Sequence, residues 1–102
     1  MGQLTEGKLY LAAYDIPYSK GGNRRRRKLY KLLSEYGRRV QYSVFELRLR
    51  NQKAKIQLME KSQKFLDSEE DSFRMYPVAE NPENMLIIGK GEILTIEKTY
   101  VV

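Results

Sequence analysis

The chain predicts an α+β fold, a sheet carrying both its helices on one face, and three observations predict it. Short apolar stretches of strand length alternate with two longer stretches whose apolar residues recur at helical spacing. Their order is strand, helix, strand, strand, helix, strand, with one more strand-like stretch trailing. At 102 residues the chain can build one core but not two, so residues 1–102 read as a single domain with residues 1–8 as an N-terminal extension.

Lys8 to Ile16 is almost wholly apolar and stops at Pro17, which predicts a buried central strand with Asp15 at its C-terminal end. The Ser19-Lys20-Gly21-Gly22 stretch reads as a loop and Asn23 as the cap of a first helix, in which Leu29, Leu32, Leu33 and Tyr36 form one apolar stripe. Gly37 is placed to end it. From Val40 to Arg50 the pattern has a fault. Val40, Tyr42 and Val44 alternate in one phase, and Phe45, Leu47 and Leu49 in the other. A strand cannot change phase without a break, so a bulge or tight turn near Ser43 and Val44 divides two strands. Asn51 caps a second helix running to about Leu66, with Ser62 a gap in its apolar side. Ser72 to Val78 alternates as a strand, Met85 to Ile88 is a short apolar strand, and residues 90–102 hold a trailing strand suited to crossing onto a partner protomer's open sheet edge. The sum is a ferredoxin-like βαββαβ unit with an additional C-terminal strand.

Composition narrows the chemistry. There are no cysteines and no histidines, which excludes disulfides, thiol nucleophiles, zinc-thiolate sites and imidazole bases. Catalysis here must use carboxylates, hydroxyls, cations or a hard metal held by oxygen. No apolar run approaches the roughly 20 residues that span a bilayer, and nothing near the N-terminus resembles a secretory signal, so a cytoplasmic protein is expected. Charge is polarised: residues 1–55 sum to +10 and residues 56–102 to −4. Such a field favours a polyanionic partner, because cations that neutralise phosphates release condensed counterions.

The basic charge is densest in Lys20, Arg24, Arg25, Arg26, Arg27, Lys28 and Lys31, seven cations in twelve residues with no acid among them. Successive helical residues turn by about 100°, so four consecutive arginines cannot all face one way. In the first turn of a helix each would oppose the macrodipole at about 0.3–1 kcal/mol. Their placement therefore suits phosphate oxygens better than it suits folding alone. A solubilising surface is the plainer alternative. Asp15 lies a few residues before this helix, where it either shapes the turn into Ile16-Pro17 or, if a two-fold dimer pairs two copies, shares a magnesium ion near a bound phosphate. Tyr14, Tyr42 and Phe45 could stack on bases, although strand aromatics are mostly core. No phosphate-binding glycine loop, dinucleotide fingerprint or aromatic RNA-recognition signature occurs.

Four stretches together resemble one family: Tyr14-Asp15-Ile16-Pro17; Arg24-Arg25-Arg26-Arg27-Lys28-Leu29 with Leu32-Leu33; residues 37–46 with Gln41-Tyr42-Ser43-Val44-Phe45-Glu46; and Asp71-Ser72-Phe73-Arg74-Met75-Tyr76-Pro77. The chain is similar to the CRISPR-associated protein "two" family, the small subunit of spacer acquisition. That resemblance implies a homodimer that bridges dimers of the CRISPR integrase (the "one" family), binds nucleic acid, and cleaves RNA or double-stranded DNA with magnesium. It implies Asp15 as catalytic residue and metal ligand. Arg24, Arg25, Arg26, Arg27, Lys28, Lys31, Arg38 and Arg39 are the nucleic-acid contacts expected from it and from their charge, and Tyr14, Ser43 and Phe45 the support of the active site. The alternatives are a non-catalytic nucleic-acid scaffold and a toxin-like ribonuclease of related fold.

Overall fold

A computed structural model describes residues 7–78. Six elements follow in the expected order: β1 (Lys8–Asp15), α1 (Lys20–Ser34), β2 (Gly37–Gln41), β3 (Val44–Leu49), α2 (Gln52–Gln63) and β4 (Ser72–Pro77). The strands form one antiparallel sheet in the order β2-β3-β1-β4. Both helices lie on one face, the ferredoxin-like arrangement. The trailing C-terminal strand and the Met85 to Ile88 strand fall outside the described residues. No helix among those described is long and apolar enough to cross a membrane.

Alternation along each strand decides what the helices cover. Tyr10, Ala12 and Tyr14 of β1 and Phe45, Leu47 and Leu49 of β3 turn towards the helices. They meet Leu29, Leu32 and Leu33 of α1 and Leu58 of α2 in one core, to which Ile16 also belongs. The other face carries Leu9, Leu11, Ala13 and Asp15 of β1, with Glu46, Arg74 and Tyr76 beside them by register.

The phase fault has two structural causes. Arg39 pairs with Phe45 but Gln41 pairs with Val44, a one-residue shift that leaves Val40 as the extra residue of a bulge. The turn itself is Tyr42-Ser43. Phe45, Leu47 and Leu49 can then fill the core while Val40 and Tyr42 stay exposed.

Three boundaries differ from the sequence reading. The first helix begins at Lys20, capped by Ser19, whose hydroxyl accepts from the Gly22 N–H at 3.0 Å, so the expected glycine loop is a helical turn. Gly22 is tolerated there because any Cβ would lie 1.9 Å from the Pro17 carbonyl oxygen. The arginines consequently occupy the second turn, past the reach of the strongest dipole effect, and the expected conflict with the macrodipole largely disappears. Gly37 does not cap the helix; Glu35 does, and Gly37 opens β2, where a Cβ would stand 1.8 Å from the Glu46 carbonyl oxygen. The second helix stops at Gln63 rather than near Leu66, after the Asn51 cap accepts from the Ala54 N–H at 2.9 Å. Ser62 is buried and returns its hydroxyl proton to the Met59 carbonyl, so the gap in the apolar side costs no unpaired donor.

Candidate functional site

The sheet separates the expected site residues. Asp15 ends β1, is exposed, and stands by register beside Ser72 on the face without helices. Tyr14, one residue earlier, points the other way into the helix layer. Its N–H donates to the Ser43 carbonyl at 3.1 Å, which fastens the end of β1 to the hairpin turn. Ser43 thus positions Tyr14 and Asp15 through its backbone. Arg38 shares the helix-free face, as the register partner of Glu46, whereas Arg39 lies opposite Phe45 on the helix side.

The four consecutive arginines divide by what they touch. Arg25 forms a two-point pair with Asp71, Nε to Oδ2 at 2.7 Å and Nη2 to Oδ1 at 3.0 Å, and lies 3.7 Å from Glu70. The Asp71 side chain is 1% exposed. Burial works to raise its pKa, but the Arg25 bonds and the Asp67 N–H at 2.8 Å outweigh that and hold it below its ordinary value. This pair pins α1 to the loop before β4. Arg26 donates to the carbonyls of Ile16 and Pro17 and to Asn23 Oδ1, with its guanidinium 4.2 Å from the Tyr18 ring centre. It holds the β1–α1 connection in shape. Arg24 and Arg27 form no ion pair among the described residues and project to solvent.

Arg24, Arg27 and Lys31 sit at i, i+3 and i+7 and share one stripe of α1. Lys28 leans the other way, its ammonium 5.9 Å from the Phe65 ring. Beside the stripe, α1 and the β2–β3 hairpin enclose an open groove of 430 Å³ lined by Tyr14, Arg26, Arg27, Tyr30, Lys31, Arg39 and Tyr42. Phe45 underlies it: its ring meets Tyr30 edge-on at 5.6 Å and Tyr14 at 6.3 Å. Arg39 lies over the Tyr30 ring at 5.2 Å. Burial pushes the Tyr14 phenol above its ordinary 10.0 against the pull of the nearby arginines, so it stays protonated at any physiological pH. The neighbouring Tyr42 hydroxyl raises the Tyr18 phenol in the same sense.

Tyr14, Arg27, Lys31 and Arg39 therefore converge, while Asp15 and Arg38 face the opposite way and Arg25 is held by Asp71. Sequence reasoning missed Tyr30. Its signal was present: an aromatic one position off the Leu29–Leu32–Leu33 stripe, beside cations, has no core to fill. Among the described residues no group of three carboxylate, imidazole or thiolate side chains could hold a metal.

Comparison with known proteins fixes the family. The model of CRISPR associated protein Cas2 matches residues 8–85. The chain belongs to the Cas2 family. It is 49% identical over 71 residues, 70% of this chain and 72% of the relative, to a CRISPR-associated endoribonuclease Cas2 of Synechocystis. With a CRISPR-associated endonuclease Cas2 of Thermus thermophilus it shares 38% over 94 residues, 92% of this chain and 96% of the relative. Among solved structures, Streptococcus pyogenes Cas2 superposes with a TM-score of 0.72 at 29% identity, covering 79% of this chain and 99% of that one. A chain of a partial Cas6-RT-Cas1–Cas2 complex superposes with a TM-score of 0.66 at 33% identity, covering 79% and 90%. Membership in this family displaces the toxin-like ribonuclease as an account of the chain.

Proposed function

We propose that this Cas2 family member is a homodimeric, cytoplasmic nucleic-acid-binding subunit of CRISPR spacer acquisition, which bridges copies of a Cas1 integrase and holds duplex DNA along α1. The observation that supports it is the Arg24–Arg27–Lys31 stripe, continued by Arg39, in which no cation is paired with a carboxylate among the described residues. A fold needs none of these charges in that line, and a phosphate backbone matches all of them. The resemblance to a chain of a Cas1–Cas2 complex supports the partner.

A second activity, hydrolysis of RNA or DNA phosphodiesters at Asp15, is favoured by its exposure at a strand end and by the endonuclease names of the relatives. Magnesium does not fit a single chain, because one carboxylate is too few hard ligands. Two chains joined so that their Asp15 residues approach each other across a two-fold would supply two.

The deciding experiment is co-purification with the neighbouring Cas1 and a prespacer-like duplex, comparing wild type, Asp15→Ala and a charge reversal at Arg24, Arg27 and Lys31. Scaffolding requires that Asp15→Ala retain the assembly and that the reversal lose the DNA. A reversal that still retains DNA at moderate salt would refute the scaffold, and cleavage at the wild-type rate by purified Asp15→Asn would refute the nuclease.

A further inference from the structure

Asp15 lies where the sheet has run out on one side. The pairing of β3 with β1 ends at Val44 opposite Ala13, and the Tyr14 N–H reaches the Ser43 carbonyl of the turn, so past that level no residue of β3 flanks β1. On the other side Asp15 stands opposite Ser72, the first residue of β4. A strand end paired on one side frays unless the neighbouring strand is itself held there. The residue just before Ser72 is Asp71, whose carboxylate takes three N–H donors: Arg25 Nε at 2.7 Å and Nη2 at 3.0 Å from α1, and the Asp67 N–H at 2.8 Å from its own loop. The Asp71 N–H donates to the Asp67 carbonyl at 2.9 Å, and Asp67 Oδ1 accepts from the Glu69 and Glu70 N–H groups, so the loop closes on itself before α1 grips it. An ion pair whose side chains are 18% and 1% exposed adds little net stability over apolar residues of equal volume, because both charges lose hydration. Its two parallel bonds fix an orientation instead, which an apolar contact would leave free to slide.

We propose that Asp71, clasped by Arg25, is a positioning residue for Asp15: the clasp sets the first residue of β4 against α1, and Ser72 in turn sets the end of β1 from which Asp15 projects. This role rests on the proposed cleavage at Asp15 and deepens it by naming what holds the reacting carboxylate. The path is short, running from the Arg25 guanidinium to the Asp71 carboxylate, through one peptide bond, to the Ser72–Asp15 pair. Asp71 is too buried to meet a phosphodiester itself, so any effect it has on cleavage passes through Asp15. Arg26, the next residue of α1, holds the Ile16 and Pro17 carbonyls just past Asp15. Two adjacent arginines of one helix thus brace the segment that follows Asp15 and the segment that leads into its partner strand. A misplacement of about 1 Å at a reacting group is enough to cost about 100-fold in rate.

The test compares wild type with Asp71→Asn, Arg25→Gln, the two together, and Leu58→Ala, on labelled RNA and duplex DNA with magnesium supplied, at a temperature where thermal melts show every variant folded. Each single clasp variant should lower kcat by about 10–100-fold with KM unchanged. The double variant should be no slower than the slower single, because the two residues act as one unit. Leu58→Ala loses stability through the core and should keep the wild-type kcat. Hydrogen exchange followed by mass spectrometry should quicken first over residues 13–15 and 72–75 in the clasp variants, and not there first in Leu58→Ala. If Arg25→Gln does not fold, Arg25→Lys takes its place, since it keeps the charge and loses the two-point geometry. Cleavage slowed as much by Leu58→Ala as by the clasp variants, a rise in KM at constant kcat, or rate losses that add in the double variant would overturn the proposal. Unchanged exchange at the two strand ends overturns it as well. Absence of cleavage by wild type is the separate result that defeats the nuclease reading beneath it, and the exchange comparison then decides the clasp by itself.

Discussion

Four consecutive arginines look interchangeable, and the structure says they are not. Arg25 is 18% exposed and spends Nε and Nη2 on Asp71, whereas Arg27 and, one turn on, Lys31 meet no carboxylate among the described residues. Substituting Arg27 and Lys31 together by Gln removes two phosphate contacts from each chain. Each contact contributes about 0.9 to the slope of log affinity against log salt on duplex DNA, so the slope should become shallower by about 1.8 per bound chain, or about 3.6 if both chains of a dimer touch the same duplex. Arg25→Gln should leave the slope close to that of wild type. It should instead lower the melting temperature, because a carboxylate that is 1% exposed loses its partner. Fluorescence anisotropy of a labelled duplex over a salt series measures the first quantity, and differential scanning calorimetry the second. The reasoning fails if Arg25→Gln flattens the salt dependence as much as the double variant does while its melting temperature stays put.

Three further outcomes follow from the packing. Asp71 is held below its ordinary value of 3.8, so its share of stability is fully present above that pH and is lost as pH falls through the lower folded value. The melting difference between wild type and Arg25→Gln should thus be widest near neutrality and narrow below about pH 3.8 in a pH series of thermal melts. Gly37→Ala drives a methyl into the Glu46 carbonyl and should cost about 2 kcal/mol or more by urea denaturation, with amide exchange rising along β2 first. Leu58→Ala should cost about 2–5 kcal/mol in the same denaturation measurement, since the side chain is fully buried and is the one α2 residue of the apolar core; a change under about 1 kcal/mol would mean α2 is not seated as described.

The element order was legible because each element has its own period and stop. Pro17 closed β1, the Leu29–Leu33 stripe declared α1, and the phase reversal at Val40 to Phe45 required a break by a bulge or a turn, where the structure has both. What failed were judgements about glycine. Gly21 and Gly22 read as loop and Gly37 as a cap, because propensity sees only the missing side chain. The structure uses two of those positions for close backbone approach, at the Pro17 and Glu46 carbonyls, which is a tertiary fact. The division of the arginines was hidden for a similar reason. Arg25 is matched to Asp71 forty-six residues later, and no local pattern could pair them.

That division also bears on how Asp15 and the basic helix could act together. By strand alternation Asp15 belongs to the helix-free face, while the groove and the cation stripe belong to the helix side. Within one chain the carboxylate and the phosphate-attracting groups are therefore separated by the sheet. Anything cleaved at Asp15 must reach it around the end of β1, past the Tyr42-Ser43 turn, or be delivered by the surface of a second chain. A scaffold has no such difficulty, since the stripe alone can hold a duplex. On the proposed function, cleavage that relies on delivery by a second chain requires dimerisation, whereas duplex binding by the stripe of one chain does not. If the proposed homodimer forms and delivers the strand, a dilution series through its dissociation should abolish cleavage while each monomer still binds duplex with its own salt slope.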